Sequence, residues 1–106
     1  FETLTIIDIN SGKNISKNHH AICEINKEAA KEIARQLRLR NISGMIIIDF
    51  INMKSDKDMQ EVVQILKESF KNDPILTNFI DVTKLGLVEV TRKKTYKSLK
   101  EIIINA

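Results

Sequence analysis

Residues Asn26 to Met53 read NKEAAKEIARQLRLRNISGMIIIDFINM, and this stretch decides the fold. Its first part predicts a helix. Ile22, Ile25, Ala29, Ile33 and Leu37 recur at three- and four-residue spacing with Ala30 and Ala34 beside them, which gives one apolar stripe to face a core. Lys27, Lys31, Arg35 and Arg38 lie off that stripe, and the cations gather toward the C-terminal end, where the helix dipole favours them. Gly44 punctuates the exit. Met45 to Phe50, MIIIDF, then reads as a buried strand that is apolar until Asp49, so the strand delivers one carboxylate to its end.

Toward the N-terminus, Leu4 to Ile9 (LTIIDI) is a second isoleucine-rich run, as expected of a strand covered on both faces, and Asp8 interrupts it near its end. Asn10 to Asn18, NSGKNISKN, reads as a loop, and the helix starts around Asn18. A strand, a crossover helix and another strand form a right-handed unit with the two strands parallel. If those strands are neighbours, Asp8 and Asp49 converge at one sheet edge, the edge where open α/β sheets bind ligands. Two carboxylates held close repel and raise each other's pKa unless a cation sits between them. Their hard oxygens suit Mg²⁺, which takes one or two protein carboxylates and keeps room for waters or a phosphate. Asn10, two residues past Asp8, adds an amide able to orient a ligand or a metal-bound water. The competing reading of either aspartate alone is a turn former or helix cap.

Toward the C-terminus, Ser55 with Asp58 three residues on resembles a capping box, and Met59, Val62, Val63, Leu66 and Phe70 give a second helix its apolar face. Asn72, Asp73 and Pro74 stop it. Asn78 to Val82 and Leu87 to Thr91 read as an antiparallel hairpin turning at Lys84, Leu85 and Gly86. A last helix begins near Ser98 and buries Leu99, Ile102 and Ile103. The order βαβαββα predicts one small α/β (α+β) domain, residues 1–106, with a mixed sheet and helices, and no repeat or linker.

Composition narrows the classes. The chain has 106 residues, 42% hydrophobic and 29% charged, the profile of an ordered globular domain. No run approaches the ~18 consecutive apolar residues of a membrane-spanning helix, and the expected compartment is cytoplasmic. The single cysteine, Cys23, forms no internal disulfide and rules out a cysteine-cluster metal site within the chain. Seventeen Lys plus Arg against 14 Asp plus Glu give +3, compatible with a polyanionic partner. His19 and His20 read as solvated residues at the helix start.

The residues carry a resemblance as well. TIIDINSGK from Thr5 to Lys13, NKEAAKEIARQLRLR from Asn26 to Arg40, GMIIIDFINM from Gly44 to Met53 and LGLVEVTR from Leu85 to Arg92 together resemble the ribonuclease E/G family, over nearly the whole chain. The resemblance implies the deoxyribonuclease I-like subdomain of that family's catalytic region, part of an endoribonuclease that cleaves single-stranded RNA to 5′-phosphate and 3′-hydroxyl ends in RNA processing and decay, rRNA processing included. It implies Asp8 and Asp49 as the Mg²⁺ ligands and Asn10 as the support of the metal site, with a metal-activated water as nucleophile. Among cations, Lys13 after the Asp8 loop, Lys84 at the hairpin and Arg92 of the Arg92–Lys94 cluster are the candidate RNA contacts, against the plain alternative of solvated surface charge.

The departures are specific. Asn52 stands where many members carry a second acid, and Lys84 where they carry an arginine, which costs the bidentate phosphate fork. The family's S1 RNA-binding domain and 5′-end sensor precede this region, and its zinc-binding cysteine pair follows it, so the expectation is a fragment without a zinc site. That fragment is expected to be monomeric, with a homo-oligomer formed by the full-length protein. Two other functional classes stay open: an RNA-binding or scaffold piece inactive in isolation, and a Mg²⁺-dependent phosphoester hydrolase of another substrate.

Overall fold

The computed structural model of the chain describes residues 3–9, 18–71, 73 and 77–93. Within them the order is β1 (Leu4–Asp8), α1 (His19–Leu39), β2 (Gly44–Asp49), α2 (Asp56–Ser69), β3 (Thr77–Val82) and β4 (Val88–Arg92). The helix expected near Ser98 lies outside the described residues. The four strands form one mixed sheet in the order β1-β2-β4-β3. β1 and β2 are parallel neighbours, as the crossover predicts, and β4 pairs antiparallel with both β2 and β3. The fold is thus a small α+β domain.

Both helices cover one face of that sheet. Ile46 and Ile48 of β2 and Val88 and Val90 of β4 are fully buried and cluster with Ala30, Ile33, Ala34 and Leu37 of α1 and with Val62, Leu66 and Phe70 of α2. The small side chains of Ala30 and Ala34 let α1 approach closely. The strands therefore alternate, buried residues inward and half-buried or exposed ones outward, with the period of two that one-sided packing imposes. This corrects the expectation that β1 is covered on both faces, because Leu4 is 58% and Ile6 67% exposed on the side opposite the helices. The α1 stripe is also rotated from its expected position. Ile25 is 46% exposed, and the buried line runs through Ile22, Cys23, Asn26, Ala30, Ile33, Ala34 and Leu37.

The helix ends are chemically specified. Asn18 caps α1, its side-chain oxygen accepting from the His20 and Ala21 backbone N–H groups at 3.0 and 3.3 Å. Ser55 caps α2 by accepting from the Asp58 N–H at 3.4 Å, and Asp56 and Asp58 place negative charge on the first turn. Past Leu39 the chain turns at Asn41, whose φ is +50°. The Asn41 N–H donates to the Arg38 carbonyl at 3.2 Å and the Ile42 N–H to the Leu37 carbonyl at 2.9 Å, the two bonds of a Schellman cap. Asn41 therefore makes the turn that the sequence assigns to Gly44. Gly44 instead opens β2 with a φ of +89°, pressed against Thr3 so closely that a Cβ would meet the Thr3 hydroxyl and lie 2.8 Å from its carbonyl oxygen.

Candidate metal and phosphate site

The site is set by strand register. Asp8 is the last residue of β1 and Asp49 the last of β2, and the two are direct partners in the parallel pairing. Ile7 and Ile9 pack on the core, as do Ile48 and Phe50, so alternation sends Asp8 and Asp49 together to the face the helices leave open. Beyond the pair the Ile9 N–H donates to the Asp49 carbonyl at 2.9 Å, which ties the two strand exits together. Asp8 is exposed and Asp49 half-buried. Adjacent strands lie ~4.8 Å apart, so side chains in one row of one face are near neighbours. Among the described residues neither carboxylate has an ion-pair partner. Two hard-oxygen donors in one row, with no ion-pair partner among the described residues, fit an oxygen-seeking divalent cation such as Mg²⁺.

Asp49 also borders an open cleft of about 340 Å³. Its walls are the exit of β2 from Asp49 to Met53, the start of α2 at Ser55, Asp56 and Met59, and the β3–β4 turn from Val82 to Gly86. Asp8 does not line it. Among the described residues that do, Lys84 is the only cation, and it is exposed.

Arg92 is placed differently from its expected role as an RNA contact. It is 1% exposed. Its Nε and Nη2 donate to the two oxygens of Asp73 at 2.9 and 3.1 Å, while Nη1 donates to Asn41 Oδ1 at 3.1 Å and to the Ile42 carbonyl at 2.8 Å. Four of its five N–H donors are thus spent on tying the end of β4 to Asp73 and to the turn before β2, and, buried as it is, it presents no face to a phosphate. Lys93 is exposed, and Asn10, Lys13 and Lys94 lie outside the described residues. His19 and His20 are exposed at the start of α1, as expected of solvated end residues.

Asn26 is the residue that periodicity missed. It is fully buried on the core line of α1. Its Nδ2 donates to the Ile51 carbonyl at 2.9 Å, and its Oδ1 accepts from the Ile51 N–H at 3.0 Å. One side-chain amide thus substitutes for a neighbouring strand and fixes the backbone two residues after Asp49. Had the buried line been read through position 26, a polar residue at a core position would have flagged it.

A second polar corner joins Cys23, Asp58 and Glu61, whose ligand atoms lie within 4.8 Å of one another. The Cys23 Sγ is 3.7 Å from Glu61 Oε2, and Lys27 Nζ is 3.4 Å from the same oxygen. Burial first, then the Asp58 charge, pushes the Cys23 thiol up, the Lys27 ammonium opposes this, and Glu61 adds to the rise. A protonated thiol beside an ammonium is a packed polar corner and a poor metal donor set.

The Ribonuclease E/G family matches residues 1–95. The chain belongs to the ribonuclease E/G family. It is 43% identical to ribonuclease G of Haemophilus influenzae over 104 residues, 96% of this chain and 21% of that protein. It is 44% identical to ribonuclease E of Synechocystis over 103 residues, 95% of this chain and 15% of that protein. A ribonuclease E/G-like protein of Porphyra purpurea is 41% identical over 106 residues, 98% of this chain and 21% of its own length. The chain therefore spans about a fifth or less of these ribonuclease E/G relatives. No helix among the described residues is long and apolar enough to cross a membrane.

Proposed function

We propose that this chain carries the metal-holding carboxylate pair of an endoribonuclease that cuts single-stranded RNA in the cytoplasm, in the processing and decay of ribosomal and messenger RNA. The observation that carries the reading is the register of Asp8 against Asp49 at the exits of two parallel strands, in a chain whose relatives are named ribonucleases. Asp8 and Asp49 would hold Mg²⁺, which when bound would lower the pKa of a coordinated water and neutralise charge on the scissile phosphate. Asn10, two residues beyond Asp8, would orient the ligands of that ion. Lys84, which lines the same cleft as Asp49, attracts the phosphate backbone. Lys13, in the segment after Asp8, would supply a second cation. In the hydrolysis itself the water oxygen bonds to phosphorus, the bond from phosphorus to the 3′-oxygen breaks, and a proton passes to that oxygen. The products are a 5′-phosphate and a 3′-hydroxyl.

The small share of the relatives' length supports a second statement. With a single lysine among the described lining residues of the cleft, the 106-residue chain by itself grips RNA weakly, binds Mg²⁺ weakly and turns over little or none; it is monomeric, and assembly into a homo-oligomer belongs to the full-length protein. Cleavage of a single-stranded oligoribonucleotide by the full-length protein tests the main reading. Asp8→Asn and Asp49→Asn should each slow it by roughly a hundredfold or more with folding retained, and undiminished cleavage by either variant overturns the assignment.

A further inference from the structure

Leu85 is 87% exposed, more than any other large apolar side chain among the described residues. Single surface leucines need no explanation by themselves. This one differs in how it is held and where. The Gly86 N–H donates to the Thr83 carbonyl at 3.0 Å, the Thr83 N–H to the Leu87 carbonyl at 2.8 Å, and the Leu87 N–H to Thr83 Oγ1 at 3.2 Å. With Gly86 at a φ of +82°, this is the pattern of a tight turn closed by a glycine bulge, with Lys84 and Leu85 as its two displayed residues. The turn is a fixed platform, and the leucine on it buries almost nothing in the fold. It lies on the cleft wall beside Lys84, with Asp49 on the same cleft. A cation and an adjacent apolar surface on one rigid turn match the two surfaces of a nucleotide, its phosphate and the face of its base.

We propose that the β3–β4 turn is a nucleotide clamp in which Leu85 packs on the face of a base flanking the scissile phosphate while Lys84 takes the phosphate charge. This rests on the reading of the chain as part of an RNA-cleaving enzyme. An aliphatic contact on a base face carries no hydrogen-bond readout, so the clamp holds any of the four bases and favours unpaired RNA, whose base faces are free.

The test uses the full-length protein and a single-stranded oligoribonucleotide with one cleavage site, together with copies lacking the base on one or the other side of that site. Leu85→Ala should lower kcat/KM on the intact RNA by about fivefold or more, chiefly through KM, and Leu85→Trp should restore or exceed the original value by stacking. On the copy lacking the contacted base, wild type and Leu85→Ala should be equally slow, because the partner of Leu85 is already gone. A Leu85→Ala loss that is the same on intact and on both abasic RNAs overturns the clamp, as does no loss at all. Asp49→Asn forms a separate arm. If it cleaves like wild type, the parent reading fails, whereas an inactive Asp49→Asn with an indifferent Leu85→Ala removes the clamp alone.

Discussion

One buried amide joins the two ends of the segment from Asn26 to Met53, since Asn26 bonds both the N–H and the carbonyl of Ile51. Asn26→Ala leaves both backbone groups buried without partners, and should cost on the order of 2–4 kcal/mol in urea unfolding; a loss below about 0.5 kcal/mol would show that water replaces the amide. The Cys23 thiol makes a prediction about pH. Its folded pKa is raised from 9.0, mainly by burial, so above that value the unfolded chain releases a proton that the folded chain keeps. Its contribution to stability is full below pH 9 and is lost as the pH rises through the folded value. The urea midpoint of the wild-type chain should therefore fall more steeply between pH 8 and 10 than that of Cys23→Ala, and parallel profiles would contradict the assignment. Asp8 and Asp49 were legible in the sequence because each interrupts an apolar run at its end. Arg92 was not, because its partners Asp73, Asn41 and Ile42 are 19 to 51 residues away and a basic cluster looks the same whether solvated or buried.

At the scale of elements, the two positive-φ glycines separate strain from space. A methyl group added at Gly86, whose φ is +82°, would meet nothing within 4 Å, whereas Gly44, at +89°, is pressed against Thr3. Gly86→Ala should therefore cost only the ~1–2 kcal/mol of a left-handed alanine. Gly44→Ala carries the same strain plus a clash with the Thr3 carbonyl, so it should be clearly the more destabilising of the two in thermal or urea unfolding, and equal losses would contradict the close approach of β1 to the start of β2. The parallel β1–β2 pair, the capped helices and the β3–β4 hairpin all followed from apolar spacing, caps and turn residues in the chain. What spacing could not supply was which face of the sheet the helices leave open. A strand such as LTIID is equally apolar whether it is buried on two sides or, as here, on one.

At the scale of the molecule, packing of α1 and α2 on one face of the sheet accounts for the carboxylate pair lying on the other. The helices seal the face carrying Ile46, Ile48, Val88 and Val90, and the same alternation sends Asp8 and Asp49 to the other. The chain belongs to the ribonuclease E/G family, and Asp49 borders an open cleft, which in the proposed function is where RNA would lie. The central claim is that the two strand-end carboxylates form one cation site. Titrating Mn²⁺, a paramagnetic stand-in for Mg²⁺, into the 106-residue chain while recording backbone amide NMR signals tests it most directly. Line broadening is expected to centre on Asp8 and Asp49, to be competed away by Mg²⁺ and to be lost in Asp49→Asn. Broadening centred elsewhere, such as on Cys23, Asp58 and Glu61, or unchanged in Asp49→Asn, would contradict it.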